Sequence, residues 1–436
     1  MPPFIHTVTE DIRRGRLSPV DLVKSCLERI DRLEDRVRAW VLVDREGALA
    51  HAEECAVEIQ RGQWRGPLHG IPIGIKDIFD VFDWPTAAGS QLWKNSIARR
   101  DAVVVRRLRQ AGAVFLGKTV TTQYASFDPP PTRNPWDLAR TPGGSSSGSA
   151  AALACGMCLG ALGSQTGGSI TRPASYCGVA GFKPSFGRVS AQGVLLLAPS
   201  LDHPGPLARC VRDLEILLLA MADGGWPIGG VETATIRPVF GRLRDLFERK
   251  ADPVVTKMMD EVADKLRQRG AVVEDVSLPA SFAEVLPRHR TLMAVEAAAF
   301  HQERLRRHPE DYDPCIRGLL EEGLNCPAPE YARCKRHQQQ LRREMEGCFD
   351  SVEVLLTPAT TGPAPDAGST GDPAFNSPWS YTGFPTISFP TGRSPVGLPL
   401  AIQLAGRPWG ERELFRIAVW CENALGGVLG EPPIVN

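Results

Sequence analysis

No run of about 18 consecutive apolar residues occurs in the chain, which argues against a membrane-spanning helix. The opening "MPPFIHTVTEDIRRGR" also lacks an apolar stretch long enough for a signal peptide, and a cytoplasmic protein is expected. Net charge is lacking too. Lys+Arg and Asp+Glu number 50 each, which argues against a protein that coats nucleic acid or a membrane surface. The 11 cysteines are odd in number and have no framework spacing, as suits reduced thiols. The one CxxC, Cys155–Cys158, has no second pair with which to complete a zinc site. It sits in "AAALACGMCLGALG" and reads as small apolar core filling. The eight histidines include no HExxH or other metal-binding spacing, so neither a metallohydrolase nor a bound metal is expected. There is no internal repeat.

What is present is ordinary globular composition, 43% hydrophobic and 23% charged, over 436 residues, enough for a large core. Ser18 as N-cap, Pro19 at the first helical position and apolar residues at Leu22, Val23, Cys26, Ile30 and Leu33 predict an amphipathic helix. Strands are expected at 39–44, through the alternating Ile71, Ile73 and Ile75 up to Lys76, and at 113–118, 271–276 and 353–357. Helices are expected at 46–61, 102–111, 253–269, 282–306, 328–347 and 411–425, with a long loop at 358–378. The Gly/Ser/Ala-rich stretch 142–192 reads as loop, buried helix, short strand and loop, and 222–234 as a surface connection. Alternating helices and strands predict an α/β fold with helices on both sheet faces.

"GAVFLGKT", Gly112–Thr119, fits the phosphate-loop pattern GxxxxGK[ST] literally, but its context is wrong. A phosphate loop follows a strand, whereas here the four variable residues are themselves the strand and a helix precedes Gly112. Lys118 is read as an ordinary strand-end lysine.

Serine patterns are more informative. Ser169 has Thr171 where a GxSxG elbow needs glycine, and Ser149 has Ser147 on its other side. No SxxK occurs at Ser145 or Ser169. What remains is "TPGGSSSGSAAALA" followed by "TGGSITRPA", with an isolated lysine upstream in "GIPIGIKD". A desolvated lysine favours its neutral amine and can act as a base. Serine hydroxyls can pass a proton, and amides beside glycines can face an oxyanion because no Cβ blocks them.

"PGGSSSGSAAALA", "QTGGSITRPASYCGVAGFKPSFGRVS", "GIPIGIKD" and "GLPLAIQLAG" together resemble the amidase signature family over nearly the whole chain. The resemblance implies a single domain, 1–436, with a three-layer α/β/α fold around a large mixed sheet. It implies Lys76 as base, Ser145 after a cis peptide from Gly144 as relay, and Ser169 as acyl nucleophile. The amides of Thr166, Gly167, Gly168 and Ser169 would form the oxyanion hole. No cofactor is implied, the partner is a small amide, and a homodimer is allowed. Ser146, Ser147 and Ser149 are read as helix capping and hydrogen bonding around the site, and Asp77 as structural.

The chain departs from the common pattern at Gln165, where many members carry aspartate, and at Arg172, three residues past Ser169. With "STGDP" at 369–373, this form is most similar to the malonamidase branch, whose matching arginine binds the free carboxylate of a monoamide. Arg172 could instead brace the loop that follows it. Two rival readings stand: the amide-cleaving component of a tRNA-dependent amidotransferase, separable by glutaminase activity, and an inactive scaffold, separable by fluorophosphonate labelling.

Overall fold

Ser18 opens the first long helix as its sequence demands. Its Oγ accepts from the Val20 amide at 3.2 Å, Pro19 takes the first turn, and Leu22, Val23, Cys26, Ile30 and Leu33 are buried along one stripe of Pro19–Val37. The computed structural model describes residues 2–222, 224 and 236–435, so most of the expected surface connection at 222–234 lies outside the described residues.

The strands are β1 Trp40–Val43, β2 Pro72–Lys76, β3 Val114–Thr119, β4 Gly160–Gln165, β5 Ala180–Lys183, β6 His203–Ala208, β7 Val239–Arg242, β8 Val272–Asp275, β9 Val354–Pro358, β10 Thr386–Arg393 and β11 Pro399–Ala405. They form one mixed sheet in the order β1-β3-β2-β4-β6-β5-β10-β11-β9-β7-β8. β2 runs parallel to both β3 and β4, and β6 runs antiparallel to β4. Parallel pairing brings the C-terminal ends of β2 and β4 to the same edge of the sheet, and antiparallel pairing adds the start of β6 there. The site is assembled at this edge.

Helices cover both faces. A Cβ on Gly160 would meet Leu217 of helix Val211–Met221 at 3.0 Å, whereas one on Gly163 would meet Ser146 Oγ at 2.9 Å and Ile170 at 3.3 Å. Residues at odd spacing along a strand face opposite sides, so β4 is sandwiched between two helical layers. The glycines there permit close approach. On Gly148, within helix Ser147–Ala154, a Cβ would lie 2.2 Å from the Ala39 carbonyl.

The expected elements fall within a few residues of those observed. The exception is the C-terminal part of 142–192, where a helix, Thr171–Cys177, and β5 replace the expected loop. The helix has seven residues, contains Pro173 and ends at Gly178, so it has little periodicity of its own and is held by packing. Gly112 and Val114–Thr119 are a turn at φ +81° and a strand, and no phosphate loop forms.

Candidate active site

Lys76 ends β2 fully buried, and its Nζ donates to Ser145 Oγ at 2.7 Å and to Ser164 Oγ at 2.9 Å. Burial, with no ion-pair partner in contact among the described residues, pulls its pKa down to about 7, and the more distant Asp202 carboxylate partly opposes this. Ser145 follows a cis peptide from Gly144. Gly144 is hemmed in by Thr370 and Thr122, where a Cβ would lie 2.8 and 3.0 Å from their methyl carbons. The amide of Ser146 donates to the Ser169 carbonyl at 3.2 Å, which ties the two serine segments together.

Ser169 lies in the turn after β4, 6% exposed, at the wall of a cavity of about 400 Å3. Thr166, Gly167 and Gly168 line the same cavity. The carbonyls of this turn are engaged elsewhere: His289 Nε2 donates to Thr166 O at 2.9 Å, and Ser380 Oγ donates to Gly167 O at 2.9 Å. Among the described residues, no protein acceptor takes the amides of Gly167, Gly168 or Ser169. Gln165 holds the far end of the turn. Its Oε1 accepts from the Ile170 and Thr171 amides at 3.0 Å each and from Thr171 Oγ1 at 3.1 Å. A neutral amide thus satisfies the backbone donors at the start of the next helix.

Arg172 is a brace in the structure, though for the serine loop before it rather than for the loop that follows. Its Nη2 donates to the Gly144 carbonyl at 2.9 Å and to Thr370 Oγ1 at 3.2 Å, which braces the serine loop. Its Nε and Nη1 are buried without a partner, and the residue lines the cavity beside Ser169. Two buried cationic donors without a partner are costly to keep.

Sequence reasoning missed Asp202 and His289. Asp202 sits at the head of β6 and accepts from the Thr166 hydroxyl and from the Leu197 and Ala198 amides at 2.7 and 3.0 Å. Burial raises its carboxyl to about 6, and Lys76 lowers it in part. His203, the histidine nearest Ser169 in sequence, is no base for it. Its Nδ1 faces the Leu201 and Gln165 carbonyls, and burial pushes its pKa well below the ordinary value. Because Asp202 favours the charged form of Lys76, Asp202→Asn should lower the Lys76 pKa further and move the acid limb of the pH–rate profile to lower pH. A limb that stays in place, with the variant folded, would show that Asp202 does not act on Lys76.

Several other expectations meet their local structure here. Lys118 is not an ordinary strand-end lysine: it is fully buried, 2.8 Å from Asp77 Oδ1, with its Nζ also donating to Pro85 O at 2.8 Å. Asp77 thus ties β2 to β3 from the residue after Lys76. Ser146 holds the N-cap position without a side-chain cap bond; its Oγ donates to Ser164 O at 3.3 Å and accepts from the Ser164 amide at the same distance. Ser149 bridges Thr119 Oγ1 and Leu162 O at 2.7 and 2.9 Å. Cys155 and Cys158 are buried free thiols, and burial pushes Cys155 up to about 12. Among the described residues, the one cluster of metal-ligating atoms is His6, Cys210 and Asp213. None of the three lines the cavity, and the Asp213 oxygens already accept from the Ile5 and His6 amides at 2.8 and 2.9 Å. Among the described residues, no helix is long and apolar enough to cross a membrane.

Residues 21–415 match the Amidase family. The chain is 34% identical over 459 residues to an amidase of Pseudomonas putida, covering 98% of this chain and 97% of that one. It is equally 34% identical over 462 residues to a glutamyl-tRNA(Gln) amidotransferase chain, the GatA-type one, of Carboxydothermus hydrogenoformans, covering 94% and 95%. A crystal structure of an amidase superposes with a TM-score of 0.90 at 35% identity, covering 97% of this chain and all of the other. The lysine and serine segments that meet at the sheet edge therefore sit in a familiar frame, and the chain belongs to the Amidase family, hydrolases of amide C–N bonds.

Proposed function

We propose that the protein hydrolyses the C–N bond of a small carboxylate-bearing monoamide, of which malonamate is the simplest example, through an acyl-Ser169 intermediate. The observation that carries this reading is the buried Lys76–Ser145 contact beside a cavity that Ser169 and Arg172 both line. Neutral Lys76 takes the Ser145 proton as Ser145 takes that of Ser169. The Ser169 oxygen bonds to the substrate carbonyl carbon, and the oxyanion forms against the free amides of the 167–169 turn. Collapse breaks the C–N bond, the leaving nitrogen takes a proton back through Ser145, and water cleaves the ester by the same route. Phe127, Leu197, Leu286 and Met293 give the cavity an apolar side that suits an alkyl or aryl substituent on the acid.

The amidotransferase reading is favoured by its 34% identical relative and disfavoured by the Gln165 and Arg172 departures. Release of free ammonia from carboxylated amides, with no glutaminase activity, separates the two.

Ammonia release from matched acidic and neutral amides also tests Arg172. Because Arg172 braces Gly144 as well, Arg172→Ala should slow both substrates, but the preference for the acid should fall by roughly tenfold to a hundredfold. That corresponds to one charge-assisted contact of about 1.5–3 kcal/mol. Arg172→Lys should recover only part of it, because an ammonium lacks the planar fork. An unchanged preference would leave Arg172 as a brace alone.

A further inference from the structure

We propose that Asp311 is a positioning residue: its carboxylate clasps the 122–127 loop and so sets both the cavity wall and the carbonyl of the relay Ser145. This rests on the roles assigned above to Ser145 and Ser169. Tyr124 and Ala125 are non-glycine residues at φ +51° and +58°, in the left-handed region. A side chain in that region is strained and persists only where its surroundings hold it.

The Tyr124 amide donates to Ala88 O at 2.8 Å, and most of the side-chain restraint comes from a segment far along the chain. The Tyr124 hydroxyl donates to Asp311 Oδ2, and Gln123 Nε2 donates to the Asp311 carbonyl. The Asp313 amide donates to Gln123 Oε1 at 2.8 Å. The Asp311 carboxylate also accepts from Ser90 Oγ at 2.7 Å. The Tyr124 ring stacks on Tyr312 at 5.1 Å and meets His301 edge-on at 4.7 Å. At the other end of the loop, Asp128 accepts from the Cys315 and Ile316 amides at 2.7 and 2.9 Å.

The clasped loop reaches the reaction centre in two places. The Thr122 amide donates to the Ser145 carbonyl at 3.3 Å, and Ala125, Ser126 and Phe127 line the cavity. Without the Tyr124–Asp311 bond, the two left-handed residues lose a principal restraint, and relaxation of the loop withdraws support from Ser145. Asp311 touches no reacting atom; it acts through Tyr124.

The test is the rate constant for fluorophosphonate labelling of Ser169, which needs no knowledge of the substrate. Tyr124→Phe keeps the ring packing and removes only the hydroxyl; Asp311→Ala removes the acceptor. Each should slow labelling by about tenfold to a hundredfold, the scale of a misplaced catalytic group. The double variant should be no slower than Asp311→Ala alone, because that variant already removes the Tyr124–Asp311 bond along with the Ser90 and Leu92 contacts of the carboxylate. The pH dependence of labelling should keep its shape, since Lys76 is untouched. Labelling rates equal to wild type in folded Tyr124→Phe, or losses that multiply in the double variant, would overturn the proposal. Failure of the wild type itself to label would instead overturn the reading of Ser169.

Discussion

Ser169→Ala should lower ammonia release to less than about one per cent of wild type while the protein keeps its fold, since losing an activated nucleophile costs orders of magnitude. The three hydroxyls of the facing serine run do not replace it. Ser145 Oγ is engaged by Lys76 at 2.7 Å, Ser146 Oγ by the Ser164 backbone, and Ser147 Oγ donates to the Val120 carbonyl at 3.4 Å. None of these three lines the cavity. Circular dichroism and thermal melting establish that the variant is folded, and a folded variant with substantial turnover would remove Ser169 from the chemistry.

Lys76→Ala should be nearly as damaging, with a loss on the order of a hundredfold to ten-thousandfold, the range for a positioned base. Its signature is in pH. The amine accepts a proton only when neutral, and burial has brought its pKa to about 7. Wild-type activity should therefore be high above that value and fall as pH drops through it, because protonation converts the base to an ammonium. The residual activity of Lys76→Ala should lack that limb. A variant with wild-type rate and profile would exclude Lys76 as the base.

The proposed triad is legible in the sequence because each member lies in a local pattern: a lysine at the end of an alternating strand and two serines behind glycine pairs. Asp202 and His289 are not. Asp202 reaches Thr166 only because β6 runs antiparallel to β4, pairing His203 with Gln165. His289 reaches the same residue from the helix Val285–Arg307, and no local spacing encodes either approach. β6 itself reads poorly as a strand, since "HPGPLA" carries Pro204 and Pro206, residues that lack the amide a central strand donates. It is tolerated because β5 pairs with β6 only at Leu207 and Ala208, past both prolines. Lys118 is misread for a related reason: its partner Asp77 lies just past the end of the neighbouring strand, and a buried pair across strands leaves no mark along either one. The cavity wall is the least legible part, since the left-handed Tyr124 is held by residues as far apart as Ala88, His301 and Asp311.

The central claim is a covalent ester on one serine. Intact-mass spectrometry and peptide mapping after fluorophosphonate treatment test it most directly. One adduct per chain is predicted, on the peptide containing Ser169, formed faster as pH rises through about 7 and absent in Ser169→Ala. An adduct on Ser145 or elsewhere, or none on a wild-type enzyme that releases ammonia, would contradict the account.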